Sequence, residues 1–333
     1  MAVSPNAMVF DIRASIARFV TSPVAVVAAY AATVLIWGTT WLGIKVSLTA
    51  IPPIAGSGFR FILAGTVLYA VAAALRVDFR RKAPPLHLVL VLAVTMFGIN
   101  YALTYLAETH LASGLVAVLF GTLPFFVFGF AHFMVGERAT RATIAGALLA
   151  LAGVAVISAV GNVHGSIWYV LAALAASASS AYANVYLKRY ADAEPFATLP
   201  PAMLLAGLGL TAWGLLAERV DIARAVAPSS LAALFYLAVC GSALAFYLNH
   251  WLLQRISSGV MGLSALMIPV IAVTVGILFG GETFGIRDIL GAALVIAGVT
   301  LSLMPARRSE PRTQPQLELR PLPQVQLSGA PGD

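Results

Sequence analysis

The chain alternates long apolar runs with short polar gaps. Runs of about 20 residues, the length an α-helix needs to cross the hydrocarbon core of a bilayer, recur ten times, at roughly 24–44, 54–75, 86–107, 112–134, 141–160, 166–187, 199–217, 230–253, 257–279 and 286–304. This pattern predicts an all-α integral membrane protein with ten transmembrane helices. Residues 1–23, with Asp11, Arg13 and Arg18 among apolar neighbours, lack the order of a cleaved signal peptide and read as a cytoplasmic N-terminal segment. In residues 305–333 the composition turns to Pro, Gln and Arg, which predicts a disordered cytoplasmic tail.

The runs repeat. Sliding the chain by 145 residues lays Ser113-Gly114 on Ser258-Gly259, Pro124 on Pro269, Gly136-Glu137 on Gly281-Glu282, Gly146 on Gly291 and Gly153 on Gly298, without a gap. Unrelated apolar helices match Leu to Leu by chance, but they do not keep Ser-Gly, Pro and Gly-Glu in register. The repeat predicts two five-helix halves, 24–160 and 166–304. Because five is odd, two like halves must enter the membrane in opposite directions. That is the inverted-topology repeat of many secondary transporters. Such halves can exchange conformations and open one cavity to each side in turn.

Composition excludes the soluble classes. The chain is 60% hydrophobic and 10% charged, against about 25% charged in a soluble domain. The net charge of +7 does not point to nucleic acid, because the basic residues gather in the gaps between apolar runs and read as membrane orientation. With ten spans both termini share a side. That side holds fifteen of the 20 Lys and Arg residues, leaving Lys45, Arg60, Arg219, Arg224 and Arg287 opposite. Both termini are therefore expected in the cytoplasm, with the protein multi-pass in the plasma (bacterial inner) membrane. The single cysteine, Cys240, has no partner for a disulfide or a metal site and reads as a small buried residue. No cofactor is expected.

Several segments carry a resemblance. "IWGTTWLGIKVSL" and "GFRFILAG", with the paired "SGLVAVLFGTLPFFVFGFAHFMVGE" and "SSGVMGLSALMIPVIAVTVGILFGGETFGIRDILGAALVIAGV", are similar to EamA-type drug/metabolite transporters over residues 25–304. The resemblance implies ten helices, cytoplasmic termini and movement of small metabolites, often amino acids or their relatives, commonly outward. The expected activity is export of such a metabolite by alternating access. A membrane-embedded enzyme or a channel is the alternative, although no catalytic motif, phosphate loop or carbonyl-rich filter is visible.

Polar groups inside a membrane are costly and face the bundle interior, so polar stripes at helical spacing point to a cavity. The first span offers Trp37, Thr40, Trp41 and Lys45. The third offers Asn100 and Tyr101, the sixth Tyr182, and the eighth Tyr247 and His250. Interfacial aromatic belts explain some of these equally well. Arg60, about two turns inside span two, either attracts a substrate carboxylate with help from Lys45 or binds helix-end carbonyls and lipid phosphate. Pro124 and Pro269, mid-span and equivalent, are candidate hinges or static kinks. Gly146, Gly153, Gly291 and Gly298 read as helix-packing positions that could equally form a homodimer face. Glu137 and Glu282, each just before a helix, are expected to cap helix N-termini. Glu108 with His110, on the outer side, is the nearest thing to a titrating pair, with a solvated loop turn as the favoured reading.

Overall fold

The computed structural model describes residues 22–78, 83–135, 140–158, 167–190, 193–256 and 264–303. The N-terminal segment, Glu137 and the tail lie outside the described residues. In chain order the helices are α1 (Pro23–Ser47), α2 (Pro53–Ala74), α3 (Leu86–Glu108), α4 (Ser113–Phe120, then Leu123–Val135) and α5 (Arg141–Ser158). They continue as α6 (Ile167–Lys188), α7 (Pro195–Ala217), α8 (Pro228–Leu253), α9 (Ser264–Gly280) and α10 (Ile286–Leu303), with one short turn of helix at Ile222–Ala225. Among the described residues there is no strand. Seven helices, α1 to α4 and α6 to α8, are long and apolar enough to cross a membrane.

Local chemistry sets the ends. Proline opens α1, α2, α7 and α8, a position where its missing N–H is no loss and its fixed φ is already helical. The Ser22 hydroxyl accepts from Ala25 N at 3.2 Å and caps α1. α2 ends with Arg76 in the left-handed region at φ 54. There Val77 N reaches back to Ala72 O at 3.0 Å and Arg76 N to Ala73 O at 3.1 Å, closing the carbonyls of the last turn.

Two of the helices are wound wide in their middles. Leu92–Ile99 in α3 and Val239–Leu244 in α8 are π-helical. The two stretches end 145 residues apart (244 − 99), the offset of the sequence repeat. A π turn adds a residue to the ring and frees carbonyls for other partners, and such turns gather at functional sites.

Small residues bring helices of opposite halves into contact. A Cβ on Gly153 would sit 2.6 Å from Gly291 O, and Gly146 and Gly298 meet each other's carbonyls in the same way, so α5 and α10 touch backbone to backbone. α2 and α7 do likewise, Gly58 against Thr211, Gly207 against Ile62 and Gly214 against Ala55. Gly146, Gly153, Gly291 and Gly298 are thus engaged within the chain, not on a face open to a second copy. Close backbone approach of this kind maximises dispersion contact where lipid offers no hydrophobic drive.

The two candidate hinge prolines sit differently. Pro269 lies inside α9. Pro124 does not bend a continuous helix. α4 breaks at Gly121 and Thr122, and Pro124 is the second residue of the segment that follows. There a proline's lost donor is one the first turn leaves unpaired anyway.

Candidate functional site

Arg60 is 1% exposed, on the face of α2 that meets the π stretch of α8. Its Nε donates to Ser242 Oγ at 2.7 Å and its Nη2 to Gly241 O at 3.2 Å. The guanidinium carbon stands 4.7 Å from the centre of the Tyr101 ring and 5.7 Å from that of Phe61. Both are within the range where a ring quadrupole attracts a cation. Nη1 has no hydrogen-bond partner. Glycine at 241 makes room, since a Cβ there would meet Thr40 and stand 3.1 Å from Arg60 Nη2. The rings continue as a chain of edge-to-face and tilted contacts. Phe61 meets Tyr101 at 4.6 Å and Phe97 at 5.1 Å, Phe97 meets Phe246 at 5.1 Å, and Phe246 meets Trp37 at 5.5 Å. The Trp37 indole N–H is unpartnered.

A second charged group lies at one end of the bundle. Lys45, in the last turn of α1, donates from Nζ to Glu108 O at 2.7 Å and Leu111 O at 2.9 Å, closing the C-terminal end of α3. The Glu108 side chain is fully buried and neither carboxylate oxygen has a hydrogen-bond partner. It is within electrostatic reach of Lys45, Glu282 and Arg60. The Tyr105 hydroxyl, near Arg60, Glu108 and Ser47, meets none of them in hydrogen-bond geometry. The expected solvated turn holds for His110, which lies in an exposed turn and stacks on Tyr169 at 3.8 Å, but not for Glu108, because α3 runs on far enough to carry it inside.

Glu282 is fully engaged. Its Oε1 accepts from Ser113 N at 2.7 Å and its Oε2 from Gly114 N at 3.3 Å. It therefore caps α4, in the other half, and not α10, the helix that follows it. Asp288 serves α10, accepting from Gly285 N at 3.0 Å. Glu218, at the end of α7, does for α2 what Glu282 does for α4. It takes Ile54 N at 3.0 Å and Ala55 N at 2.8 Å. Both carboxylates fill orphan donors at the positive end of a helix dipole.

The remaining candidates divide. Thr40 is buried beside Gly241 and donates to Trp37 O at 2.8 Å. Trp41 packs on Phe120 at 5.5 Å, and its indole N–H is unpartnered. Asn100 is buried but occupied within α3, donating to Met96 O at 3.0 Å and accepting from Thr104 at 3.4 Å. Tyr182 belongs to a separate strip with Phe130 and Tyr186. Tyr247 packs on Phe196, and His250 Nε2 bonds Ala193 O at 3.1 Å ahead of α7. Cys240, in the π stretch, is free and half-buried. Among the described residues no group of three or more His, Cys, Asp or Glu could hold a metal.

Sequence reasoning missed Ser242, Gly241, Glu218 and the burial of Glu108. Only the last left a signal. Asn100, Thr104 and Glu108 follow at i, i+4 and i+8, which continues the polar strip of α3 to its end.

A bundle of apolar helices, seven of them long and apolar enough to cross a membrane, with large hydrophobic side chains exposed on its outside and a buried arginine held between helices of its two halves, has the architecture of a multi-pass membrane protein. The profile of the EamA-like transporter family matches this chain twice, over residues 24–159 and 166–304. The chain belongs to that family, and it is a membrane transporter of the EamA type. It is 29% identical over 277 residues to the "Uncharacterized inner membrane transporter YedA" of Escherichia coli strain K12, covering 80% of this chain and 87% of that one. It is 26% identical over 282 residues to a Salmonella typhimurium protein named "Probable amino-acid metabolite efflux pump", covering 81% and 92%. A solved crystal structure 21% identical to it superposes with a TM-score of 0.66 over 85% of this chain and 99% of that one, a likeness of fold.

Proposed function

We propose that the chain exports a small organic metabolite bearing a carboxylate, an amino acid or a related compound, across the plasma membrane by alternating access. It does so with ten spans arranged as two inverted five-helix halves and with both termini in the cytoplasm. The observation that carries the substrate class is Arg60. A buried guanidinium is expensive unless paired, and this one has two nitrogens held by α8 and a third, Nη1, without a partner. A carboxylate reaching Nη1 would complete a charge-assisted pair in a low-dielectric setting, among rings that suit a compact organic body.

Three further observations support the carrier reading. The family profile matches each half separately. The contacts Gly146–Gly298 and Gly153–Gly291 interchange under the 145-residue offset, as a two-fold relation between halves requires. One relative bears a name for amino-acid efflux. The break at Gly121-Thr122 ahead of Pro124, and Pro269 inside α9, are the positions where the halves would flex. Lys45 serves as a brace for α3 and shapes the field around Arg60.

A counterflow screen with purified protein in proteoliposomes tests the reading, covering amino acids, purines and cationic drugs. The expected result is saturable exchange of a carboxylate-bearing compound, reduced at least about tenfold by Arg60→Gln, the loss that about 1.4 kcal/mol of binding produces. Saturable exchange only of compounds without a carboxylate, or unchanged transport by a folded Arg60→Gln protein, would overturn the role of Arg60. Absence of saturable exchange with any class would overturn the carrier.

A further inference from the structure

Glu108 is a carboxyl group without a counterpart. Glu282, Glu218, Asp288 and Asp221 each take backbone N–H groups at a helix end. Glu108 takes none, although it is fully buried. The charged and titratable groups within electrostatic reach of it come from four elements. They are Lys45 on α1, Arg60 on α2, Tyr105 on its own α3, and Glu282 on the turn between α9 and α10. Two of these are cations, yet neither directs a donor at the carboxylate. Lys45 gives two of its three ammonium hydrogens to Glu108 O and Leu111 O, and Arg60 gives Nε and Nη2 to α8. The third charge, Glu282, is of like sign. A carboxylate kept from water and from donors escapes the cost of burial by taking a proton.

We propose that Glu108 is a proton-binding site of the carrier, protonated in this conformation and deprotonated when the bundle opens at its Lys45–Glu108 end. The inference rests on the alternating-access reading. The step is a simple one. The carboxyl O–H bond breaks, the proton passes to water admitted at that end, and the carboxylate left behind gains hydration and the uncovered ammonium of Lys45. The reverse step precedes closure. Closure of this end is then linked to uptake of one proton. Low pH on that side favours the closed form and high pH favours the open one, by at most about tenfold per pH unit for one linked proton. With the proposed orientation that side is extracellular, so an outward-facing carrier can reset only after collecting a proton there.

Infrared difference spectroscopy of the full-length protein in lipid tests protonation directly and needs no substrate. A protonated-carboxyl C=O band at neutral pH that disappears in Glu108→Gln, and shifts in Glu108→Asp, is the expected result. A wild-type spectrum without such a band would overturn the proposal.

Opening is read from a cysteine introduced at Leu111 in a Cys240→Ser background. Its labelling by a membrane-impermeant maleimide is normalised at each pH to the denatured protein. Labelling should rise several-fold between about pH 6 and pH 8 and stay low and flat when Glu108→Gln is added. An equal rise in both proteins would overturn the linkage. Because neither readout involves transport, failure of the counterflow screen and failure of the proton site would be told apart.

Discussion

Glu282 and Glu108 lie within electrostatic reach of each other and have opposite surroundings. Glu282 receives two backbone N–H groups and joins a turn of one half to a helix of the other. Glu108 is more deeply buried and receives nothing. The first arrangement supports a fold, because removing the acid strands two donors. The second supports no fold at all, since a glutamine or even an apolar residue of that size would lose no bond. Buried and unpartnered polar groups mark places where stability has been given up for another purpose. Arg60 stands between them, with two nitrogens engaged and one open.

The comparison can be broken by thermal unfolding at fixed pH. Glu282→Ala should have the largest effect, destabilising by about 2–3 kcal/mol, because two charge-assisted bonds vanish and Ser113 N and Gly114 N lose their acceptor. Glu282→Gln keeps one acceptor oxygen and should cost about half of that, roughly 1–1.5 kcal/mol. Ser242→Ala removes the acceptor for Arg60 Nε while leaving Gly241 O in place, for a loss of about 1 kcal/mol. Glu108→Gln should come last, within about 0.5 kcal/mol of wild type or more stable, since no hydrogen bond is lost and a costly carboxyl is removed. A Glu108→Gln melt as damaged as that of Glu282→Ala would erase the distinction between the two acids.

Most of the helical layout was legible because apolar length is a strong signal. The ten runs and the observed helices agree within a few residues wherever both are described. The largest difference is α7, which starts at Pro195 and carries Pro200 and Pro201 inside it. The apolar run places its start near residue 199. Pro195 at the first position and the Glu194 carbonyl, which accepts from Ala197 and Thr198, start the helix a turn earlier. The site was far less legible. Arg60 meets Ser242 across 182 positions of sequence, and no local pattern announces such a partner. The stripes that promised one shared cavity resolve into an aromatic chain around Arg60 and separate contacts for Tyr182, Tyr247 and His250. Helical spacing fixes which residues share a face, but not which neighbour that face meets. The capping role expected of Glu282 concerned its own helix, because reading along a chain favours near partners. The bond instead spans 169 positions.

The wide winding of Leu92–Ile99 has a consequence for everything beyond it. An α-helix advances about 100° around its axis per residue, so each residue absorbed by a π turn sets the remainder of the helix out of phase with its beginning. Tyr101, Tyr105 and Glu108 point where they do because of the winding beneath them. If that stretch tightened to α geometry, the strip would swing around the helix like a key turned in a lock. The aromatic face would leave Arg60, and the buried carboxyl would come to a different wall.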